Sequence, residues 1–209
     1  MRLFGELSDL SEENMRSIPY DEYFDEMDLT EEEKEKRKQF SREFEDVMLF
    51  IFTLFSVMRQ YGSINKQYII GQLQSRYSEI VLKYMEIDKY LDDYIADFAI
   101  ETVDTTIKHI DEPFYLSNDR SILISENEAN GIFNYGEFSE AIKAGKKRKQ
   151  WVDVRDKKER ETHREVGGTV IPIEDTFIVG NSLMLFPKDT SYGAEMKEIA
   201  NCRCTIKYF

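Results

Sequence analysis

The sequence predicts an α+β protein, with an N-terminal α-helical region followed by a small antiparallel β-unit that carries a short helix. Three observations lead there. Apolar residues recur at three- and four-residue intervals as far as Val103. Asp111-Glu112-Pro113 breaks that period. Beyond Gly145 the apolar residues fall in short alternating runs, split by Gly180-Asn181 and by Pro187-Lys188-Asp189.

Residues 1–29 read as an acidic arm, free to move. From Met1 to Asp46 there are 16 acidic residues against 7 basic ones. Tyr20, Tyr23 and Phe24 are the side chains through which such a segment would dock on a partner. The helical region, 30–118, starts with a capping box, Thr30 to Glu33. A long helix follows, with Phe40, Phe44, Val47, Ile51, Leu54, Phe55 and Met58 on one stripe before Gly62. Ser63 or Asn65 caps a second, striped by Tyr68, Ile69, Leu73, Tyr77, Ile80, Val81 and Tyr84. A third carries Leu91, Tyr94, Ile95, Phe98, Ile100 and Val103.

The last region, 119–209, opens on a helix from about Ile122 to Ala144, closed by Gly145. Gln150 to Val154 alternates like a strand, Lys157 to Glu165 reads as a short helix, and Gly167-Gly168 ends it. The β-runs are then Thr169 to Ile173, Thr176 to Val179, Leu183 to Phe186 and Cys204 to Phe209. Trp151, the only tryptophan, leads the first strand into a polar cluster and is expected to be buried.

Composition excludes several classes. The 209 residues hold 41 acidic and 28 basic side chains, a net charge of −13, so nucleic acid is not bound through a general phosphate-neutralising surface. A local contact with DNA would use Lys146, Lys147, Arg148 and Lys149; the same run also suits a solvated helix end. The most apolar stretch, Val47 to Met58, is shorter than the roughly 20 residues of a membrane span, and no membrane partner is expected. The N-terminal residues turn acidic at once and do not read as a secretion signal. Two cysteines cannot build a disulfide framework, and both are expected to be reduced. Walker, GxGxxG, HExxH and GxSxG patterns do not occur.

Chemistry-bearing residues concentrate in Trp151, Asp153, Arg155, Asp156, Arg160 and His163, and in Asn201, Cys202, Arg203 and Cys204. Residues two apart in a strand share a face. Cys202 and Cys204 could therefore meet one ion, with His163 as third ligand and Asp153 or Asp156 as fourth; zinc suits such a set. Two buried thiols need no metal, however, and His163 would then bond to Asp153, Asp156 or a backbone carbonyl. The expectation is no cofactor, with zinc the open alternative. A third reading is catalytic, with His163 as general acid or base and Arg155, Arg160 or Arg203 stabilising a phosphate-centred anion, as in a small ribonuclease.

Across these residues the chain resembles the C-terminal domain of the phage Mu F-like head morphogenesis, or minor head, proteins. The landmarks run from Ser125-Glu126 through Gly145, Lys149-Gln150-Trp151, Asp153-x-Arg155-Asp156, Arg160-x-x-His163, Gly168, Ile171-Pro172, Phe177, Gly180 and Pro187-x-Asp189 to Asn201-Cys202-Arg203-Cys204. The resemblance implies a motif cluster of Glu126, Trp151, Asp153, Arg155, Arg160, His163, Asn201, Cys202 and Cys204. It implies a structural, non-enzymatic minor capsid protein of a tailed phage or prophage, with portal or capsid proteins and in some relatives phage DNA as partners. The implied location is the virion head interior, or the host bacterial cytoplasm during assembly. Two departures stand out. Lys188 occupies a turn where the family usually has glycine, which implies a relaxed backbone there, and the helical front is short. Related domains in phage-carried toxins have a ribonuclease-like fold, which keeps an effector or nuclease using His163, Arg155 and Arg160 as the alternative.

Overall fold

A computed structural model describes residues 20–209. The rest of the expected acidic arm, residues 1–19, lies outside the described residues. Helix makes up 59% and strand 10%, which is the predicted α+β class with its strands confined to the C-terminal part. The chain forms two compact units, one of residues 39–125 and the other of residues 20–38 with Glu126–Phe209.

The helical unit is built on α2 (Glu31–Gln60), α3 (Lys66–Val81), α4 (Lys89–Lys108), a 3-10 turn (Pro113–Leu116) and the first residues of α5 (Asn118–Lys143). Each start has a local cause. The Thr30 amide donates to Glu33 at 2.7 Å while the Glu33 amide donates back to the Thr30 hydroxyl at 3.3 Å. Asn65, rather than Ser63, caps α3 by accepting from the Tyr68 amide, and Asp88 caps α4 by accepting from that of Leu91. The stripes then meet in an aromatic core: Phe44 lies 4.3 Å from Tyr77 and Tyr77 5.2 Å from Phe98, ring centre to ring centre. Such pairs add about 0.5–1.5 kcal/mol each beyond their burial. Two residues assigned to the stripes face water instead, Tyr68 at 47% and Ile100 at 42% exposure, because the neighbouring Ile69, Ile70 and Ala99 occupy the inward positions.

The second unit begins with α1 (Tyr20–Asp25). Here the arm reading is corrected: Tyr23, Phe24 and Met27 are buried, since three large apolar side chains within five residues gain more from packing than from solvation. Strand β1 (Arg148–Val152) is central in an antiparallel sheet of order β2-β1-β5, with β2 at Val170–Pro172 and β5 at Thr205–Tyr208. Trp151 faces Ile206 across the ladder and is fully buried, as expected, with Phe177 edge-on at 5.2 Å. A hairpin of β3 (Phe177–Val179) and β4 (Ser182–Met184) turns at Gly180-Asn181. Helix α6 is shorter than predicted, Glu161–Val166, because the Asp156 carboxylate accepts from the Lys158 amide and holds the preceding residues in a turn. Helix α7 (Met196–Ile199) precedes the Asn201 to Cys204 segment.

Candidate functional site

Helix α5 supplies the frame. Asn127, Asn130 and Asn134 fall at i, i+3 and i+7, on one face, and all three reach the C-terminal segment. Asn127 donates to the Asn201 side chain at 2.8 Å and accepts from its amide at 2.7 Å. Asn130 donates to the carbonyls of Cys202, at 2.9 Å, and Cys204, at 3.3 Å; Asn134 donates to those of Cys204 and Pro187. From the other side Tyr23 donates its hydroxyl to the Cys202 carbonyl at 3.1 Å. Asn201 takes a left-handed backbone, φ 53°, which Asn tolerates better than most residues.

The segment so held presents both thiols to His163 of α6. Its Nδ1 lies 3.3 Å from Cys204 Sγ and 3.6 Å from Cys202 Sγ, and the three donor atoms fall within 4.8 Å of one another. Its Nε2 faces Glu198 Oε2 at 3.2 Å, with both side chains 2% exposed. Thr162 donates to the same carboxylate oxygen at 2.8 Å. Gly180 leaves the space for it: its φ is +59°, and a Cβ there would meet Glu198 Oε1 at 2.7 Å.

Burial works against ionising Cys202, but hydrogen bonds from Cys204 and His163 and the charges of His163 and Lys188 hold its thiol well below the usual range. Cys204 is pushed the other way by its bond to Cys202 and by burial. His163 is raised despite its burial, by the Cys202 charge and hydrogen bond and by Glu198. A pocket of about 20 Å³ borders the three donors, lined also by Glu159, Arg160 and Asn201.

The other expected site residues divide. Arg160 donates to the Ala200 carbonyl, and Arg203 pairs with Asp156 and, at 2.9 Å, with Glu26. Asp156 therefore serves Arg203, and neither it nor Asp153 belongs to the donor group. Asp153 packs against Gly167, where a Cβ would fall 2.5 Å from its carboxylate. Arg155 points to solvent, 76% exposed, away from any joint role with His163. Glu126 is buried on α5. Of the basic run, Lys146, Lys147 and Arg148 are exposed, but Lys149 is buried, donating to the Leu185 carbonyl at 2.7 Å between the rings of Phe138 and Phe177. Burial lowers its ammonium to about 8, and a DNA contact through Lys149 is ruled out by its place on the inner face of β1.

Lys188 corrects another expectation. The turn is not relaxed: Lys188 keeps a left-handed backbone, φ 72°. Its buried ammonium donates to Asn127 Oδ1 and, at 3.0 Å, to the Ile199 carbonyl, bonds that offset the strain of a long side chain in that conformation. Asp189 completes the turn by accepting from the amides of Leu185 and Ser191. The three asparagines and Glu198 were not singled out in the sequence, and Lys188 was singled out only for its turn. The i, i+3, i+7 spacing of the asparagines was a visible signal; Glu198 had none.

A helical protein that ends in a small β-unit, closed around a buried His, two Cys and a Glu by an asparagine-bearing helix, is the class this architecture defines. The family model of the phage Mu protein F like proteins matches residues 98–207, just over half of the chain, and the chain belongs to that family. Membership makes it a phage head morphogenesis protein. No curated protein and no solved structure gives a match.

Proposed function

We propose that the chain is a structural minor head protein, acting at or near the portal while a tailed-phage capsid is assembled, and held in the head interior or in the host cytoplasm before that. The match over residues 98–207 carries this reading. The site supports a structural role over a catalytic one. His163 is 2% exposed, Arg160 is occupied by a backbone carbonyl, Arg155 stands apart, and a pocket of about 20 Å³ has no room for a nucleotide. Among the described residues no helix is long and apolar enough to cross a membrane. Portal and capsid proteins are the partners, and DNA is a minor one, touched through Lys146, Lys147 and Arg148.

Co-expression with the portal and major capsid proteins of the same phage, followed by affinity purification of the portal, tests the proposal. The chain should co-purify and be found in assembled heads. Its absence from both, or arrest of host growth by the chain alone, would favour the effector alternative. DNA binding should be weak, with log K falling against log salt at a slope no steeper than about −3, one phosphate for each exposed cation.

A further inference from the structure

We propose that His163 Nδ1, Cys202 Sγ and Cys204 Sγ are ligands of a zinc ion, and that Glu198 is the positioning residue behind the histidine. Zinc bonds of about 2.3 Å to sulfur and 2.0 Å to nitrogen, at a tetrahedral angle, separate the two donor atoms by about 3.5 Å. The observed separations are 3.3 and 3.6 Å. The donors thus stand where a shared ion would place them, although hydrogen bonding alone could satisfy a single His-thiol pair at either distance.

The surroundings discriminate further. A ligating histidine needs its other ring nitrogen bonded, which fixes the tautomer and aims the free lone pair. Glu198 is the group placed to serve it: one carboxylate oxygen lies 3.2 Å from Nε2, which makes no hydrogen bond as it stands, and that carboxylate is 2% exposed and held by Thr162. The sulfurs are aimed by backbone restraints, since Asn130 holds the carbonyls of both cysteines. The fourth position opens on the small pocket, whose volume of about 20 Å³ suffices for one water. Glu159 lines it, one of its carboxylate oxygens paired with Arg164 at 3.5 Å.

Two other uses of the cluster fit less well. A Cys-His-Glu nucleophile set would need access, yet Cys202 and Cys204 are 2% and 3% exposed and the pocket admits water rather than an acyl substrate. A disulfide across a single residue would be strained, and both thiols are free. Zinc at this point would tie α6 to the segment entering β5, pieces 41 residues apart, so its binding energy would stabilise the fold of this unit.

The test uses the full chain purified without chelator. Elemental analysis should find about one zinc per chain, EDTA should lower the melting temperature, and the two thiols should react with Ellman's reagent only after chelation. Cobalt(II) replacing zinc should give a thiolate-to-cobalt charge-transfer band. Protein without zinc, with thiols equally reactive with and without EDTA and no such band with cobalt, overturns the site. Because Cys204→Ser or His163→Ala can unfold the unit, Glu198→Gln provides a milder variant that keeps all three ligands. It should bind zinc about ten- to a hundredfold more weakly; unchanged affinity would overturn the positioning role. None of these outcomes bears on the head-protein reading, which rests on the family match and is tested by co-purification.

Discussion

The helical unit and the β-unit are held together by different kinds of interaction. In the first, apolar stripes converge on Phe40, Phe44, Tyr77 and Phe98, all fully buried. In the second, many of the buried side chains are polar or charged: Asn130, Asn134, Lys149, His163, Lys188, Asp189 and Glu198. Burial of an apolar side chain is non-directional and tolerates rearrangement. A buried amide or ammonium is stable only with its own partners in place, so each of these residues specifies one arrangement of the chain. The helical unit should therefore respond to changes of volume, and the β-unit to changes of hydrogen-bonding capacity.

The largest effect expected sharpens the first half of this contrast. Phe44→Ala should cost about 3–5 kcal/mol by emptying the aromatic core, and Phe44→Leu should recover much of that. Denaturant titration of the two variants provides the comparison. Equal losses from both would mean that ring stacking, not volume, governs the unit.

Asn130→Leu addresses the other half. The variant keeps the branched shape but removes one of the two donors from each of the carbonyls of Cys202 and Cys204, which retain Tyr23 and Asn134, and leaves the Nε of buried Arg37 without its acceptor. A loss of about 3 kcal/mol is expected, and Asn130→Ala should do no better. A thermal melt in which Leu matches the wild type would break the comparison outright.

The last effect is a matter of pH. Buried Lys149 has its ammonium lowered to about 8 from an ordinary 10.5, so between those values the unfolded chain binds more protons than the native one. Stability of the wild type should rise across that window relative to Lys149→Met, which has nothing to titrate there. Below pH 8 the lysine is charged in both states and the difference is flat. Chemical denaturation of both proteins on either side of pH 8 measures it, and parallel curves would show that the ammonium is not desolvated.

Corrections to the sequence reading cluster in the polar unit. The class, the capping box at Thr30, the three-helix stripes and the buried Trp151 follow from periodicity and local capping chemistry, which involve residues a few positions apart. Displacements within the helical unit are small, such as Tyr68 and Ile100 turning outward by about one position. In the β-unit the run Lys146 to Lys149 reads as four equivalent cations, yet strand alternation sends Lys149 inward to the Leu185 carbonyl. Arg155 and Arg160 look interchangeable, yet one stands in solvent and the other binds Ala200.

By itself the sequence determined where the long helices lie, which residues could build a core, and that His163, Cys202 and Cys204 were the donors worth pairing. These are properties of residue type and short-range spacing. Only the tertiary structure decided that Glu198, not Asp153 or Asp156, stands behind His163, and that Lys188 keeps a glycine-like backbone. It also decided that Tyr23 and Phe24 pack within their own unit. Each of those outcomes depends on which buried polar or apolar group finds a partner many residues away, and a partner at that separation leaves no mark in local pattern. The distance from Tyr23 to Cys202, 179 positions in sequence and one hydrogen bond of 3.1 Å in space, is the measure of that gap.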